Sequence, residues 1–488
     1  ACLSWQVEQG CAAAGLVCSA SACVCPANPG PTFVADAVGG SPAGSAPQPT
    51  GLLSPAACRY RTLTEALAAA NLRGAGSTAL AAGWSPATPG GTVVFSEPGG
   101  LSVGPGVTLT TEDAVPAIGH YAVTTPAAVT GPLVAIGSGG SLAGFELRNA
   151  ASSGEGIRTL CPTSADTLPP SITAVRVVAA STGTPAVRLA TGVAVTGFCG
   201  ATLADVAVDG AATGILVDAV APAVEVGATG VRITGSTVAG ASVIEGKLTA
   251  SGGTVEGNAA GVLVGTSGTG APTFSATGTA FRGNVGDAIH VARGTLTTDA
   301  CPFADNGTHV HAQPVGGAAV AITVRNSAGS ARMTGATNSA FRLLAMGTAS
   351  TLELTGNEVV GNDAIQSYNM ATGLRRGGGA VFTAPFPATT SIRGNLFFGN
   401  KWDQVLVAAG TGSLGFDGGA TCGTGSNSFG CFDPSNPSVG IYSNGASVPA
   451  DWNRWTVQPG VYGVDVGGTG VTGFDTQACV ASSLICPP

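Results

Sequence analysis

Three of the four histidines in the 488-residue chain, His290, His309 and His311, fall within one short stretch, with Asp287 and Asp305 among them. Two or three imidazoles converging with a carboxylate can hold a zinc ion, and an imidazole can serve as a general base. The competing reading is structural. Equivalent positions of a repeat stack upon one another, so histidines at matching places add a polar rung without doing chemistry. The second reading is favoured because these histidines sit inside a repeat. The five residues are read as a polar patch, with no catalytic residue, metal or cofactor expected.

The repeat runs from position 254 to 312. Val255-Glu256-Gly257-Asn258, Phe281-Arg282-Gly283-Asn284 and Phe303-Ala304-Asp305-Asn306 each open a phrase of two short apolar runs around a turn. The asparagines stand 26 and 22 residues apart, the spacing of a stacked repeat array. Later copies end in Asn362 and Asn400, and Val206 to Val217 is an earlier copy with Asp209 in the asparagine position. An inward asparagine at a turn can bond the backbone of its own rung and the amide of the next. Asn258, Asn284, Asn306, Asn362 and Asn400 are therefore expected as structural rungs. Glu256 and Arg282 share a slot in adjacent phrases, where a surface ion pair would be worth under about 1 kcal/mol.

Composition sets the class. Only 9% of residues are charged, while glycine reaches 76, which suits short strands and tight turns better than helices. The net charge of −8 contains no basic run, so nucleic acid is not an expected partner. No apolar run approaches membrane-spanning length, and membrane insertion is not expected. Thirteen cysteines point to an oxidising compartment, hence a secreted, extracellular or cell-surface protein. Disulfides are expected among Cys2, Cys11, Cys18, Cys23, Cys25 and Cys58, whose connectivity stays open, and within the couples Cys161 and Cys199, Cys422 and Cys431, and Cys479 and Cys486. A zinc site is the weaker alternative for the N-terminal cysteines, which have no histidine nearby. Cys301 is left over as a buried thiol. The chain opens at Ala1 without a basic and apolar leader, as a secreted protein does once its signal peptide is removed.

Three segments follow in order. Residues 1–57 form a cysteine-rich segment and linker, 58–408 the repeat array, and 409–488 further rungs and a disulfide-stapled cap. One helix is expected early in the array: Thr62 and Glu65 form a capping box, Leu63, Ala66, Leu67 and Ala70 share one face, and Gly74 offers a stop. Short alternating strands succeed it, Thr92-Val93-Val94-Phe95 and Leu101-Ser102-Val103 through Val107-Thr108-Leu109-Thr110. A loop must bulge between Asn362 and Asn400, and Met370 to Pro387 is expected to form it.

This helix and the strands after it resemble the N-terminal entry of right-handed parallel β-helix proteins of the pectin-lyase-like superfamily, of the secreted bacterial kind. The resemblance covers roughly residues 58 to 460 and implies an all-β solenoid whose helix plugs the first coil. It implies no single function, since that superfamily holds lyases, hydrolases, epimerases, adhesins and structural rods. The residues that its enzymes use, clustered carboxylates for Ca²⁺ or Asp pairs at hydrolase spacing, do not map onto this chain. The expected function is thus a non-enzymatic structural rod that stacks head to tail on copies of itself as a filament or adhesive subunit. The alternative is a carbohydrate-active protein of the polysaccharide lyase or glycoside hydrolase kind, or a binder of cell-surface glycans.

Overall fold

The computed structural model describes residues 17–19, 22–24, 31–37, 59–83, 91–113, 118–125, 131–149, 154–179, 189–370, 373–409, 412–416, 426–430, 439–455 and 466–474. The chain divides into two units, Ala1–Val231 and Arg232–Pro488. Each is a parallel β-helix.

In the first unit a coil is three short strands with turns between them, for example Ser141–Ala143, Phe145–Asn149 and Glu155–Leu160. Each strand pairs in parallel with its equivalent one coil earlier and one coil later, which builds three sheets. Register puts like on like. Leu142 aligns with Leu109 and Ile172, Leu147 with Val123 and Val177, and Ile157 with Val134 and Val193. All nine are buried. The alternation of strand side chains sends these residues inward while their neighbours face out, and a slip of one residue would invert every coil.

Helix Leu63–Arg73 packs against strands Thr32–Asp36, Thr78–Ala82 and Leu101–Val103 of the same unit, burying Leu63, Ala66, Leu67 and Ala70. The Thr62 hydroxyl oxygen accepts the Glu65 N–H, and Gly74 ends the helix at φ 92°. Glu97, fully buried, accepts the N–H groups of Leu63 and Thr64 and the Thr64 hydroxyl, placing a carboxylate on the positive helix N-terminus. Cys161 and Cys199 form a disulfide. The disulfides expected for Cys2, Cys11, Cys25, Cys58, Cys422, Cys431, Cys479 and Cys486 lie outside the described residues. Cys18 and Cys23 are backbone partners in the antiparallel pair Val17–Ser19 and Ala22–Val24, of which only the backbone is described.

The second unit repeats the plan: Thr273–Thr277, Ala280–Arg282 and Asp287–Val291 supply one strand to each sheet, and Gly294–Asp299 starts the next coil. In the second sheet of this unit, Val255, Phe281, Phe303, Met333, Val359, Phe397 and Phe429 form one register column. Phe281 stacks on Phe303 at 5.0 Å between ring centroids, and Phe429 on Phe397 at 5.5 Å and on Trp455 at 4.9 Å. The bulge between Asn362 and Asn400 is shorter than expected. A hairpin of Tyr368–Met370 and Gly373–Arg375 leaves the coil, and the glycine triplet returns at once to the third sheet as strand Gly377–Thr383. Any Cβ at Gly378 or Gly379 would meet backbone oxygens of Lys401 or Gln404 at under 2.5 Å, so close coil contact and not loop freedom explains these glycines.

Candidate functional site

The turn between the second and third sheets of the second unit positions everything else. Its entry residue is left-handed, which glycine accepts readily: Gly283 has φ 58° before Asn284. In the next coil Asp305 takes that conformation at φ 55°, a strained choice for a side chain with a Cβ. Each asparagine after it points inward and bonds its neighbours. The Asn284 side-chain oxygen accepts the N–H and Nδ2–H of Asn258, and the Asn306 oxygen accepts the same pair from Asn284, at 2.8 to 3.1 Å. Asn362 and Asn400 repeat the arrangement, ending on the Gln404 carboxamide.

One rung lacks its asparagine, and Ala336 stands there. His309 bridges the gap. Its Nδ1 accepts the Nδ2–H of Asn306 at 3.2 Å and its Nε2–H donates to the Asn362 oxygen at 3.1 Å. Burial pushes this imidazole down to about 3, so it stays neutral and holds both bonds. His309 is thereby separated from the polar patch with which it was grouped.

His290 and His311 face outward on neighbouring strands of the third sheet, Asp287–Val291 and Thr308–Ala312, as direct register partners. Their ring centroids are 4.5 Å apart. Both Nδ1 atoms converge on one carboxylate oxygen, Oδ2 of Asp287, at 3.0 Å from His290 and 2.7 Å from His311. Burial alone would raise the Asp287 carboxyl, but the hydrogen bonds and charge of the two imidazoles hold it far below the usual carboxylate range. The carboxylate is ionised, and each Nδ1–H donates to it. His311 is buried, and its Nε2 has no hydrogen-bond partner among the described residues.

A shallow open cleft of about 270 Å³ adjoins Asp287, lined also by Thr308, Thr337, Asn338 and Gln366. Val285 and Ile365 stand in its walls, 82% and 67% exposed. Asn338 accepts the Gln366 N–H at 3.1 Å, and Gln366 accepts from the Arg342 guanidinium. Arg342 is the register partner of His311 one coil on.

No known family profile matches the chain, and no curated protein does. A comparison with solved structures finds the Azotobacter vinelandii mannuronan C-5 epimerase AlgE4 A-module, at 12% identity and TM-score 0.32, over 86% of this chain and 95% of that one. At that distance the likeness assigns neither a family nor an activity. The parallel coils rest on the strand pairings themselves.

Of the polar residues singled out in the sequence, the structure joins Asp287, His290 and His311 and sends the other two elsewhere. Asp305 is exposed at its turn and His309 lies in the interior. Cys301 is buried, its thiol pushed up to about 11 by burial. A second ladder escaped the sequence reading: Asn357, Asn395, Asn427 and Asn453 pass the same backbone bond from coil to coil at 3.1 to 3.2 Å. The signal was present, since Gly356-Asn357 and Gly394-Asn395 recur five residues ahead of Gly361-Asn362 and Gly399-Asn400. The cleft had no such signal. Val285, Asn338, Ile365 and Gln366 come from three different turns and meet only when the coils stack.

Proposed function

We propose that this chain is a glycan-binding β-helix whose ligand lies in the cleft beside Asp287. The observation that carries the reading is an ionised carboxylate, fixed by two imidazoles, at the edge of an open cleft furnished with hydroxyl and carboxamide groups. Saccharide hydroxyls are recognised by such acceptors and donors, while exposed aliphatic surfaces such as Val285 and Ile365 suit the apolar faces of sugar rings. Binding is favoured over hydrolysis because the cluster holds one carboxylate, whereas glycoside hydrolysis ordinarily uses two. The Cys161 and Cys199 disulfide supports an oxidising, extracellular setting.

Helix Leu63–Arg73 is read as a right-handed coil's end plug, supported by the four residues it buries on the first strands. A head-to-tail filament would have to displace it. Self-stacking is therefore set below glycan binding.

The test is a panel of neutral and acidic oligosaccharides titrated against the whole chain and an N338A/Q366A variant. At least one saccharide should bind the natural chain and lose most of its affinity in the variant. Absence of binding across the panel, or undiminished binding by the variant, would sink the reading.

A further inference from the structure

We propose that Asp287, His290 and His311 bind a divalent transition-metal ion of the zinc class. The inference deepens the reading of this face as a glycan site and rests on it only for what the ion does there. The site itself stands on three side chains.

The donor chemistry selects the ion. Two imidazole nitrogens and one carboxylate oxygen suit zinc, cobalt or nickel, whereas calcium and magnesium take shells of oxygen. One donor atom from each residue lies within 4.8 Å of the other two. The separations from Asp287 Oδ2 are 3.0 Å to His290 Nδ1 and 2.7 Å to His311 Nδ1. Tetrahedral zinc with bonds of about 2.0 to 2.1 Å holds its donors roughly 3.3 Å apart. The two separations from Asp287 need to open by about 0.3 and 0.6 Å. That opening is small because the backbone has already set the spacing: Asp287 and His290 share a strand, and His311 is the register partner of His290.

The Nε2 atom of His311 is buried and without a partner among the described residues, and ligation through Nδ1 leaves it so. Neither neutral tautomer cures this, since one leaves a lone pair and the other an N–H unmet. A ring kept for packing alone would be better served by an apolar side chain of similar size.

Three protein ligands leave coordination positions free, the pattern of zinc sites that take an exogenous ligand. Of the three ligands Asp287 also lines the cleft, beside Thr308, which puts the ion at the cleft's edge. A saccharide carboxylate or a pair of adjacent hydroxyls would complete the shell.

The experiment uses the whole chain, stripped with a chelator and titrated in the absence of saccharide, with Co²⁺ followed by visible absorption and Zn²⁺ by calorimetry. Expected are one equivalent bound in the micromolar range or tighter, cobalt bands of nitrogen and oxygen ligation, and a loss of at least about tenfold in affinity in H290A and in H311A. H120A, at the histidine outside this stretch, should bind as the natural chain does. Because H311A removes a buried ring, its melting profile is compared with the natural chain's, and half-exposed His290 supplies the variant least at risk of misfolding. No saturable binding, unchanged affinity in H290A, or intense thiolate-to-cobalt absorption from cysteines would each overturn the proposal. Saccharide titrations with and without Zn²⁺ then separate the two ideas: an ion that binds while no saccharide binds in either condition leaves this site standing and removes the glycan reading, and saccharide binding by a chain that takes no ion does the reverse.

Discussion

Asp287 and His311 are 24 residues apart in sequence, yet Oδ2 of one lies 2.7 Å from Nδ1 of the other because a single coil separates them. The bond is sheltered on one side only, with the His311 side chain 8% exposed and that of His290 25%. Asp287→Ala leaves two imidazole N–H groups without their acceptor, and an unmet buried donor costs about 1–3 kcal/mol. His290→Ala removes the more hydrated ring and should cost under about 1 kcal/mol. Chemical denaturation of the two variants should rank them in that order. Equal losses would mean that Asp287 does not organise the pair.

The asparagine ladder is more demanding. Asn284 accepts two bonds from Asn258 and donates to Val255 and Asn306. Asn284→Ala takes the acceptor from the Asn258 N–H and the side-chain donor from Val255 in a dry interior, while the Asn306 oxygen keeps the backbone N–H of residue 284, and a loss of about 2–3 kcal/mol is expected from the same penalty. Asn284→Asp should fare no better, since it adds a charge and removes the donor. A loss below about 1 kcal/mol in equilibrium unfolding would show that water replaces the amide.

How far the sequence discloses this molecule depends on distance along the chain. The helix at Leu63, the coil spacing and the Gly-Asn turns are local signals, and each phrase carries its own copy. Strand alternation puts positions 309 and 311 on one face, which groups His309 with the outer patch. The strand in fact opens with two consecutive inward residues, His309 and Val310, as the corner brings the chain over the asparagine ladder. Period-two reasoning fails by one place there. The outer cluster of Val381, Leu406 and Tyr442 under the hairpin was equally hidden, because those strands read as ordinary rungs until the hairpin folds back.

At the hairpin, Arg375 donates to Asp403 at 2.8 Å and lies over the Tyr442 ring at 4.0 Å. Burial pushes the Asp403 carboxyl up to about 7, although Arg375 and the Val439 N–H pull the other way. A raised folded-state pKa means that the native protein keeps a proton which the unfolded chain releases above about 4. The contribution of Asp403 to stability is therefore complete below pH 4. It declines by up to about 1.4 kcal/mol per pH unit until pH 7 and is flat beyond. In Asp403→Asn that decline should vanish, so its stability relative to the natural chain should rise between pH 4 and 7. Parallel denaturation profiles over this range would refute the assignment.

The gap in the ladder at Ala336 invites a repair. Gly335 before it has φ 72°, the same left-handed entry that precedes Asn258, Asn284 and Asn362, so the backbone there already has the shape an asparagine uses. What fills the space is the His309 ring, bonded to Asn306 and Asn362. His309→Ala breaks both bonds and opens a cavity, with an expected cost of about 3 kcal/mol. Ala336→Asn alone forces a carboxamide against the ring and should also destabilise, by roughly 1–3 kcal/mol. Together the two substitutions restore a continuous asparagine column in room that the ring has vacated. The double variant should therefore be more stable than either single one, with a coupling of at least about 1 kcal/mol in the direction of rescue. Simple additivity in that cycle would mean that His309 fills the interior without standing in for the missing rung.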